Sequence, residues 1–498
     1  MNRPRPPAAA LAAAGVLFLL LATANSAGYR YGVSDQAFHV PSVVHALDPS
    51  AFPRDAALID AQGRLMVFDD AVAWVVQTTG LSLEAVFFAG YLLTMALLWA
   101  GVMLVGARLF GSAWATLLLG IILTLRHRIP RTSANSIEPY FYPRTLAFSI
   151  GLLAVAAVLS RRHWLPLLLV AAAALVHITT GAWFAVLVAV AMVRARLVPW
   201  RLALAAAAAL GAALAVAAAT GWLQPLLRPI DPQWAAVIST KDSLDATAWP
   251  VWAWAANLGL PALLVAIHHQ RRRWKTSTPA DEGLVWGALA LTLLFLLTVP
   301  LVAWGAVLPT QLQISRVFWL VDVVVAVYGV ALLADAARRA GTRVPLVAAT
   351  ALLLGISFAR GAYVMRVEYP ERRLFAVHLP ASDWTDAMTW VSHGPRDLHV
   401  LAHPGHALLY GSSVRVAAHR DVVLEDAKDT AVALYSRAIA MRVAERRTAL
   451  GDDFDRLTAE QVSSLADRYD VDVLVTAGRE LPFPVAYQNS TFRVYDLR

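Results

Sequence analysis

The sequence predicts a polytopic α-helical membrane protein with about eleven membrane helices and a C-terminal extracytoplasmic α/β domain. Of its 498 residues, 58% are hydrophobic and 15% are charged, whereas soluble proteins have roughly 45–50% and about 25%. The apolar residues fall into blocks as far as Tyr363, and residues 364–498 have an ordinary soluble composition. This distribution excludes a cytosolic enzyme, a fibrous protein and a disordered chain.

The apolar blocks are long enough to cross a membrane, which takes about 20 residues in a helix. We predict spans at 8–26, 83–106, 110–125, 143–160, 164–178, 181–194, 200–220, 249–268, 282–306, 314–335 and 343–363. The first span also has the basic start and small-residue end of a cleavable signal peptide, but we favour its retention. The fifth and sixth spans are short and form a hairpin with its tip at His177.

Basic residues orient these spans, because cytoplasmic turns are rich in Lys and Arg. With Arg3 and Arg5 in the cytoplasm, the basic turns at 161–162, 194–201, 271–275 and 338–343 are cytoplasmic as well. Residues 1–363 then form a transmembrane domain with external loops at 27–82, 126–142 and 221–248, and residues 364–498 form a periplasmic domain. The Ala-, Arg- and Val-rich composition is typical of a bacterial inner-membrane protein.

Composition and missing motifs exclude several functions. The net charge of +8 lies in the turns, and no basic stripe with interleaved aromatics indicates nucleic acid. The absence of cysteine excludes disulfides, thiolate metal sites and cysteine nucleophiles. The sequence has no Walker loop, GxSxG elbow, HExxH pair or dinucleotide fingerprint. ATP-driven pumping by this chain alone and most hydrolase activities are therefore excluded.

The first external loop carries the strongest catalytic candidate. Asp35 and His39 are four residues apart, so a short helix would place them on one face. In the functional interpretation Asp35 is a general base or metal ligand, and His39 orients it or the substrate. In the structural interpretation Ser34 and Asp35 cap a surface helix. Asp55, later in this loop, is a further substrate-binding candidate.

The other candidates are charged or polar residues beside predicted spans. Because ionisable residues within a membrane are costly, we select Arg316 as a ligand for a lipid-linked phosphate, which a guanidinium fits bidentately; the alternative is snorkelling to the surface. Asp322 is expected to form a hydrogen bond between helices. The remaining substrate-binding candidates are Glu138, Arg144, His177 and Lys241.

The last 135 or so residues alternate between helical and strand patterns, which favours a small α/β domain. We predict helices from Ser382 to Ser392, over 429–449 and over 460–469, and strands at 399–402 and 471–475. A hairpin is expected around Asn489-Ser490. His403 and His406 are a weak candidate for a metal or sugar contact.

Residues 34–41, with Asp35 at the start of a long external loop, resemble the first loop of the GT-C superfamily of membrane glycosyltransferases. A second acid in a later loop, Glu138, and an external α/β domain agree with this resemblance, and residues 407–415, 469–475 and 492–495 resemble the ends of multispan bacterial proteins of this kind. The resemblance implies inverting transfer of a hexosyl or pentosyl group from a polyprenyl-phosphate-sugar lipid to an envelope glycan, lipid or protein acceptor, with Asp35 as the base.

The implied cofactor is at most a divalent cation. The Asp-Asp or Asp-x-Asp pair of many such enzymes is absent around Asp35, which argues against metal dependence. Two other functions stay open: a lipid or solute transporter, and a non-catalytic scaffold or binding protein of the cell envelope. A transporter predicts inverted repeats and midplane polar residues, and neither is evident in the sequence.

Overall fold

The computed structural model describes residues 8–63, 66–241 and 243–498, so Arg3 and Arg5 lie outside the described residues. The chain divides into two compact units. The first unit comprises Met1–Tyr29, Gly90–Ile230 and Lys241–Leu374, and the second comprises Arg30–Ala89, Asp231–Thr240 and Phe375–Arg498. Most of the first predicted external loop thus belongs to the same unit as the C-terminal residues. The domain boundary predicted after residue 363 stays a prediction.

Each of the eleven predicted spans coincides with an apolar helix, and the chain is a polytopic helical membrane protein. Six helical stretches of the described residues are long and apolar enough to cross a membrane, and five shorter apolar helices accompany them. The helices are α1 (Ala8–Asn25), α5 (Leu83–Leu109), α6 (Ala113–Thr124), α7 (Pro143–Leu159), α8 (Leu165–Val176), α9 (Ile178–Arg194), α10 (Trp200–Ala219), α13 (Val251–Arg273), α14 (Pro279–Ala303), α16 (Val317–Arg339) and α17 (Val344–Tyr363).

The loops of the first unit contain short elements. These are β2 (Arg128–Ile129), β3 (Ala134–Asn135), α11 (Gln224–Leu227), α15 (Val307–Leu312), and the 3₁₀ turns Ala246–Ala248 and Ile314–Arg316. A π-helical turn, Val364–Glu368, extends α17. Strands β2 and β3 pair as a small antiparallel ladder, which shapes the loop that carries Glu138.

Helices α9 and α14 pack closely against each other. A Cβ added at Gly283 would lie 2.6 Å from the Ala191 Cα, and one at Gly287 would lie 2.8 Å from the Leu187 carbonyl oxygen. Small residues four apart allow membrane helices to approach each other closely. The two glycines therefore let α14 pack directly against the backbone of α9.

A buried arginine joins three helix ends in the same unit. Arg271 at the end of α13 is 1% exposed; its Nη2 lies 3.1 Å from Asp281 Oδ2, and its Nε donates to Asp335 Oδ2 at 2.9 Å. The side chain of Arg271, which the sequence places in a basic turn, is therefore enclosed by carboxylates. It links α13, α14 and α16 at one end of the helix bundle.

The second unit is a mixed sheet with helices. Its elements are β1 (Tyr29–Arg30, which begins in the first unit), α2 (Gln36–Leu47), α3 (Ala56–Gly63), α4 (Phe68–Thr79), α12 (Pro232–Ile238), β4 (Phe375–Ala376), α18 (Asp383–Ser392), β5 (His399–Ala402), α19 (His406–Leu409), α20 (Val414–Ala417), β6 (Asp421–Val422), α21 (Asp426–Ala433), α22 (Arg437–Leu450), a 3₁₀ turn (Phe454–Arg456), α23 (Ala459–Tyr469), β7 (Val473–Ala477), β8 (Val485–Gln488) and β9 (Phe492–Asp496).

Five of these strands form a sheet in the order β6-β5-β7-β9-β8. Strand β5 pairs in parallel with β6 and β7, and β9 pairs antiparallel with β7 and β8. The hairpin predicted around Asn489-Ser490 is the β8–β9 turn. The single helix predicted over 429–449 is wrong: Ser436 breaks it, because its side chain caps α22 by accepting the Ile439 N–H.

The close packing of α14 on α9 predicts the effect of adding one methyl group. Gly283→Ala should lower the unfolding temperature in detergent, because overpacking costs about 1–3 kcal/mol. The matched control is Gly211→Ala in α10, where an added Cβ meets no atom within 4 Å and where no residue of the fully described helix is buried. Equal unfolding temperatures for the two variants would contradict this packing.

Candidate active site

Asp35 stands at the N-cap position of α2, yet its carboxylate forms an ion pair with a residue from the C-terminal part of the second unit. The Lys428 Nζ donates to Asp35 Oδ1 at 3.2 Å, and among the described residues the Asp35 side chain makes no capping hydrogen bond. Ser34, just before it, has a φ of 53°, a strained conformation of the kind that concentrates at functional sites. Asp35 therefore begins α2 as expected, and its role as a general base or metal ligand stays a prediction.

The side chain of His39 points into the unit. Its Nδ1 lies 2.9 Å from Asp69 Oδ1, and the two residues are 3% and 4% exposed. The expectation that His39 orients Asp35 or a substrate stays a prediction. In the structure the imidazole instead links α2 to α4, an interaction that the sequence did not single out.

Asp55 is fully buried in a network of charges. Its Oδ2 accepts from Arg415 Nε at 2.7 Å, and its Oδ1 accepts from Arg442. Burial opposes its ionisation, but Arg415 and Arg442 outweigh that effect and hold the pKa of the carboxyl well below its usual value. With 0% exposure, Asp55 joins the first loop to the C-terminal residues of this unit.

Two further acids contact Arg415, and a third, Asp421, accepts the Asp55 N–H. Asp429 accepts two bonds from its guanidinium, at 2.6 and 3.1 Å, and Glu425 Oε2 lies 3.6 Å from its Nη1. Burial raises the pKa of Glu425 to about 7. Burial, with the nearby charge of Asp55, raises the pKa of Asp421 to about 6.

Glu138 belongs to the first unit, and its charge is neutralised locally. Its Oε2 lies 3.3 Å from Arg126 Nη2, and its Oε1 accepts from Asn135 Nδ2 at 2.7 Å. The carboxylate is 5% exposed. Glu138 therefore shapes the loop 126–142 from within.

The same loop is attached to neighbouring segments through its backbone carbonyls. Arg316 Nε donates to Thr132 at 3.3 Å, and Trp319 Nε1 donates to Ser136 at 3.2 Å. Arg316 as a whole residue is half-buried. Its role as an anion ligand stays a prediction.

Asp322 forms a pair with His127, a residue that the sequence analysis did not select. The His127 Nε2 lies 3.0 Å from Asp322 Oδ2, and its Nδ1 lies 3.1 Å from the Leu125 carbonyl. Only an imidazolium donates to both oxygens, and the hydrogen bond to Asp322 raises the pKa of His127. Asp322 thus ties α16 to the loop 126–142 rather than to another membrane helix.

The remaining candidates have local contacts in the first unit. Arg144 is 6% exposed, and its Nε donates to the Tyr142 hydroxyl at 3.0 Å. His177 lies between α8 and α9, where its Nδ1 accepts the Thr180 N–H at 3.2 Å and caps α9. The Lys241 carbonyl accepts the Leu244 N–H at 3.1 Å. Their substrate-binding roles stay predictions.

Among the described residues, no group of three or more His, Asp or Glu side chains is arranged to hold a metal ion. Both ring nitrogens of His406 are engaged, because Nδ1 lies 2.8 Å from the His403 carbonyl and Nε2 accepts the Val414 N–H at 3.2 Å. His406 therefore has no lone pair directed at a shared ligand with His403.

Solved structures similar to this chain include oligosaccharyltransferases of the archaeon Archaeoglobus fulgidus. The apo crystal structure has 12% identity and a TM-score of 0.46, and the complex of AglB with an inhibitory peptide and a dolichol-phosphate has 12% identity and a TM-score of 0.47. Each match covers 94% of this chain and 69% of the other. No protein-family model matches the sequence, and no curated protein matches it.

The titration of Glu425 predicts how stability depends on pH. Its pKa in the folded chain, about 7, exceeds the ordinary value of 4.5, so the folded state gains stability when Glu425 is protonated. That contribution is complete below pH 4.5 and is lost as the pH rises to 7. Glu425→Gln should therefore reduce the fall in unfolding temperature between pH 4.5 and 7, measured on the full chain in detergent.

The control for this experiment is Glu460→Gln, which removes an exposed carboxylate in the first turn of α23. It should leave the pH dependence as it is in the unchanged chain. Asp421 titrates in the same direction, so part of the dependence should survive in Glu425→Gln. An identical pH profile for Glu425→Gln and the unchanged chain would contradict the burial of an ionising Glu425.

Proposed function

We propose that this protein transfers a sugar from a polyprenyl-phosphate-linked donor to an acceptor hydroxyl at the external membrane face, with Asp35 as the general base. One observation carries the proposal. Of the three acids predicted for the site, Asp35 has a side-chain exposure of 32%, whereas Asp55 and Glu138 have 0% and 5%. Asp35 is therefore the carboxylate of the three that a substrate can reach.

The proposed reaction is a single displacement. The acceptor oxygen attacks the anomeric carbon, the bond from that carbon to the phosphate oxygen breaks, and the phosphate leaves with the electron pair. Asp35 takes the proton of the acceptor hydroxyl as the new glycosidic bond forms. Because the leaving group is already a phosphate, it needs stabilisation of its negative charge and no general acid.

Arg316 is the proposed ligand of that phosphate. Its Nε is bonded to the Thr132 carbonyl, which restrains the side chain before substrate arrives, and a restrained guanidinium loses less entropy per contact. His39, Asp55 and Glu138 are buried. For these three residues we therefore favour a role in supporting the loops over direct contact with the sugar. Arg144, His177 and Lys241 remain proposed substrate contacts.

A non-catalytic envelope-binding protein is the second candidate. The observation that favours it is that Asp55, Glu138 and His39 serve as buried structural links, so few accessible polar groups remain to do chemistry. This candidate predicts that the purified protein transfers no sugar, whether Asp35 is intact or replaced.

Asp35→Asn tests the general base directly. The variant keeps the shape of the side chain and removes the proton acceptor, so kcat should fall about 10²–10⁴-fold. Donor binding should persist, since the amide changes no contact with the lipid. The assay measures sugar transfer by the purified protein from radiolabelled polyprenyl-phosphate hexoses and pentoses, and full activity of Asp35→Asn would refute the catalytic role.

Arg316→Ala tests the proposed phosphate ligand. Removal of one charge-assisted contact should raise the KM for the donor about tenfold or more. Arg162→Ala, in the exposed turn between α7 and α8, is the matched control and should leave KM unchanged. If the two variants bind the donor equally well, Arg316 does not hold the phosphate.

A further inference from the structure

We infer that Lys428 is a positioning residue for Asp35: its ammonium holds the carboxylate in the resting protein and transfers to the phosphate of the donor when the donor binds. The inference rests on the proposed function. It starts from a contact within the second unit, where Lys428 Nζ lies 3.2 Å from Asp35 Oδ1. The same Nζ lies 4.8 Å from the centre of the Phe38 ring, so carboxylate and ring together define its position.

The backbone that carries Lys428 is held firmly. Its neighbour Asp429 accepts two bonds from the buried Arg415, and Asp426 is paired with Arg447. Helix α21 is thus fixed on both sides of Lys428, and the ammonium can reach only what lies within one side-chain length. The side chain is 12% exposed and the carboxylate that it contacts is 32% exposed, so a ligand would approach the ammonium from the side of Asp35.

The chemistry of lysine suits an exchange of partners. An ammonium is a compact charge on a flexible stem, and it can move between two anions by rotation about single bonds. An arginine would bind a carboxylate bidentately and resist displacement. The sequence has three lysines, Lys241, Lys275 and Lys428, among 42 basic residues, so the residue that contacts Asp35 Oδ1 is of the rarer and more mobile type.

The exchange would couple donor binding to the basicity of Asp35. An ammonium at 3.2 Å favours the ionised carboxylate and makes it a weaker proton acceptor. A phosphate that attracts the ammonium removes this effect and leaves a negative charge near the carboxylate. Asp35 is then a stronger proton acceptor in the complex with the donor. In the free protein the ammonium keeps the carboxylate ionised and makes it a weaker proton acceptor.

Kinetics separate positioning from a structural role. In Lys428→Met the acidic limb of the pH profile of kcat/KM should move to higher pH by up to about one unit, because the free protein has lost the ammonium beside Asp35. The limb of kcat should not move, since in the complex the ammonium is already on the phosphate. Lys428→Arg should restore the kcat/KM limb, and Lys275→Met, an exposed-lysine control, should leave both limbs in place.

A chemical cross-link measures the contact without any assay of activity. A carbodiimide joins a carboxylate to an amine only when they touch, with loss of water, so it should couple Asp35 to Lys428 in the full chain in detergent. Mass spectrometry should detect the cross-linked peptide, and Lys428→Arg should abolish it. Addition of a short-chain polyprenyl phosphate should reduce the cross-link yield toward the yield in Lys428→Arg. The same experiment with inorganic phosphate tests whether the phosphate group alone reduces the yield.

Each outcome bears on a different claim. If the polyprenyl phosphate raises the unfolding temperature and the cross-link yield stays unchanged, the lipid binds without taking Lys428 and the exchange is refuted. If the lipid does not bind at all, the proposed function fails, while the cross-link itself still reports the ion pair. If no cross-link forms, Lys428 does not hold Asp35, and Asp35→Asn alone then decides the catalytic role.

Discussion

The second unit depends on one arginine buried among carboxylates. Arg415 is 1% exposed and contacts Asp55 and Asp429 directly, so residues far apart in the chain share a single positive charge. Loss of one partner of such a buried pair leaves an uncompensated charge and typically costs about 3–5 kcal/mol. Burial raises the pKa of Glu425 to about 7, so this acid adds its negative charge to the cluster only as the pH approaches that value.

This cluster also positions Lys428 beside Asp35. Asp429 is fixed by Arg415, and the adjacent Lys428 is thereby carried to Asp35. The accessible carboxylate is thus positioned by contacts whose other members are buried. His39 and Asp55, two other polar residues of the first loop, are themselves buried in such contacts.

The sequence predicted the helices well because hydropathy is a local property that adds along the chain. The predicted span at 143–160 coincides with Pro143–Leu159, and Ser382 caps the helix expected after it. The same sequence did not indicate the partner of Asp35, because Lys428 is 393 residues away and no local pattern marks it. Nor did it show that Asp55 is buried, since burial of a charge depends on arginines that arrive from elsewhere in the chain.

The pairing of Asp55 with Arg415 also sets an order of events during synthesis. The two residues are 360 positions apart, so at 5–20 residues per second the ribosome needs about 20–70 s to reach the second after the first. During that time the apolar helices from Leu83 to Tyr363 are synthesised, and the carboxylate of Asp55 has no arginine partner yet. The second unit can therefore close only after translation is nearly complete, and a chain that stops before residue 415 leaves its first loop without a folded partner.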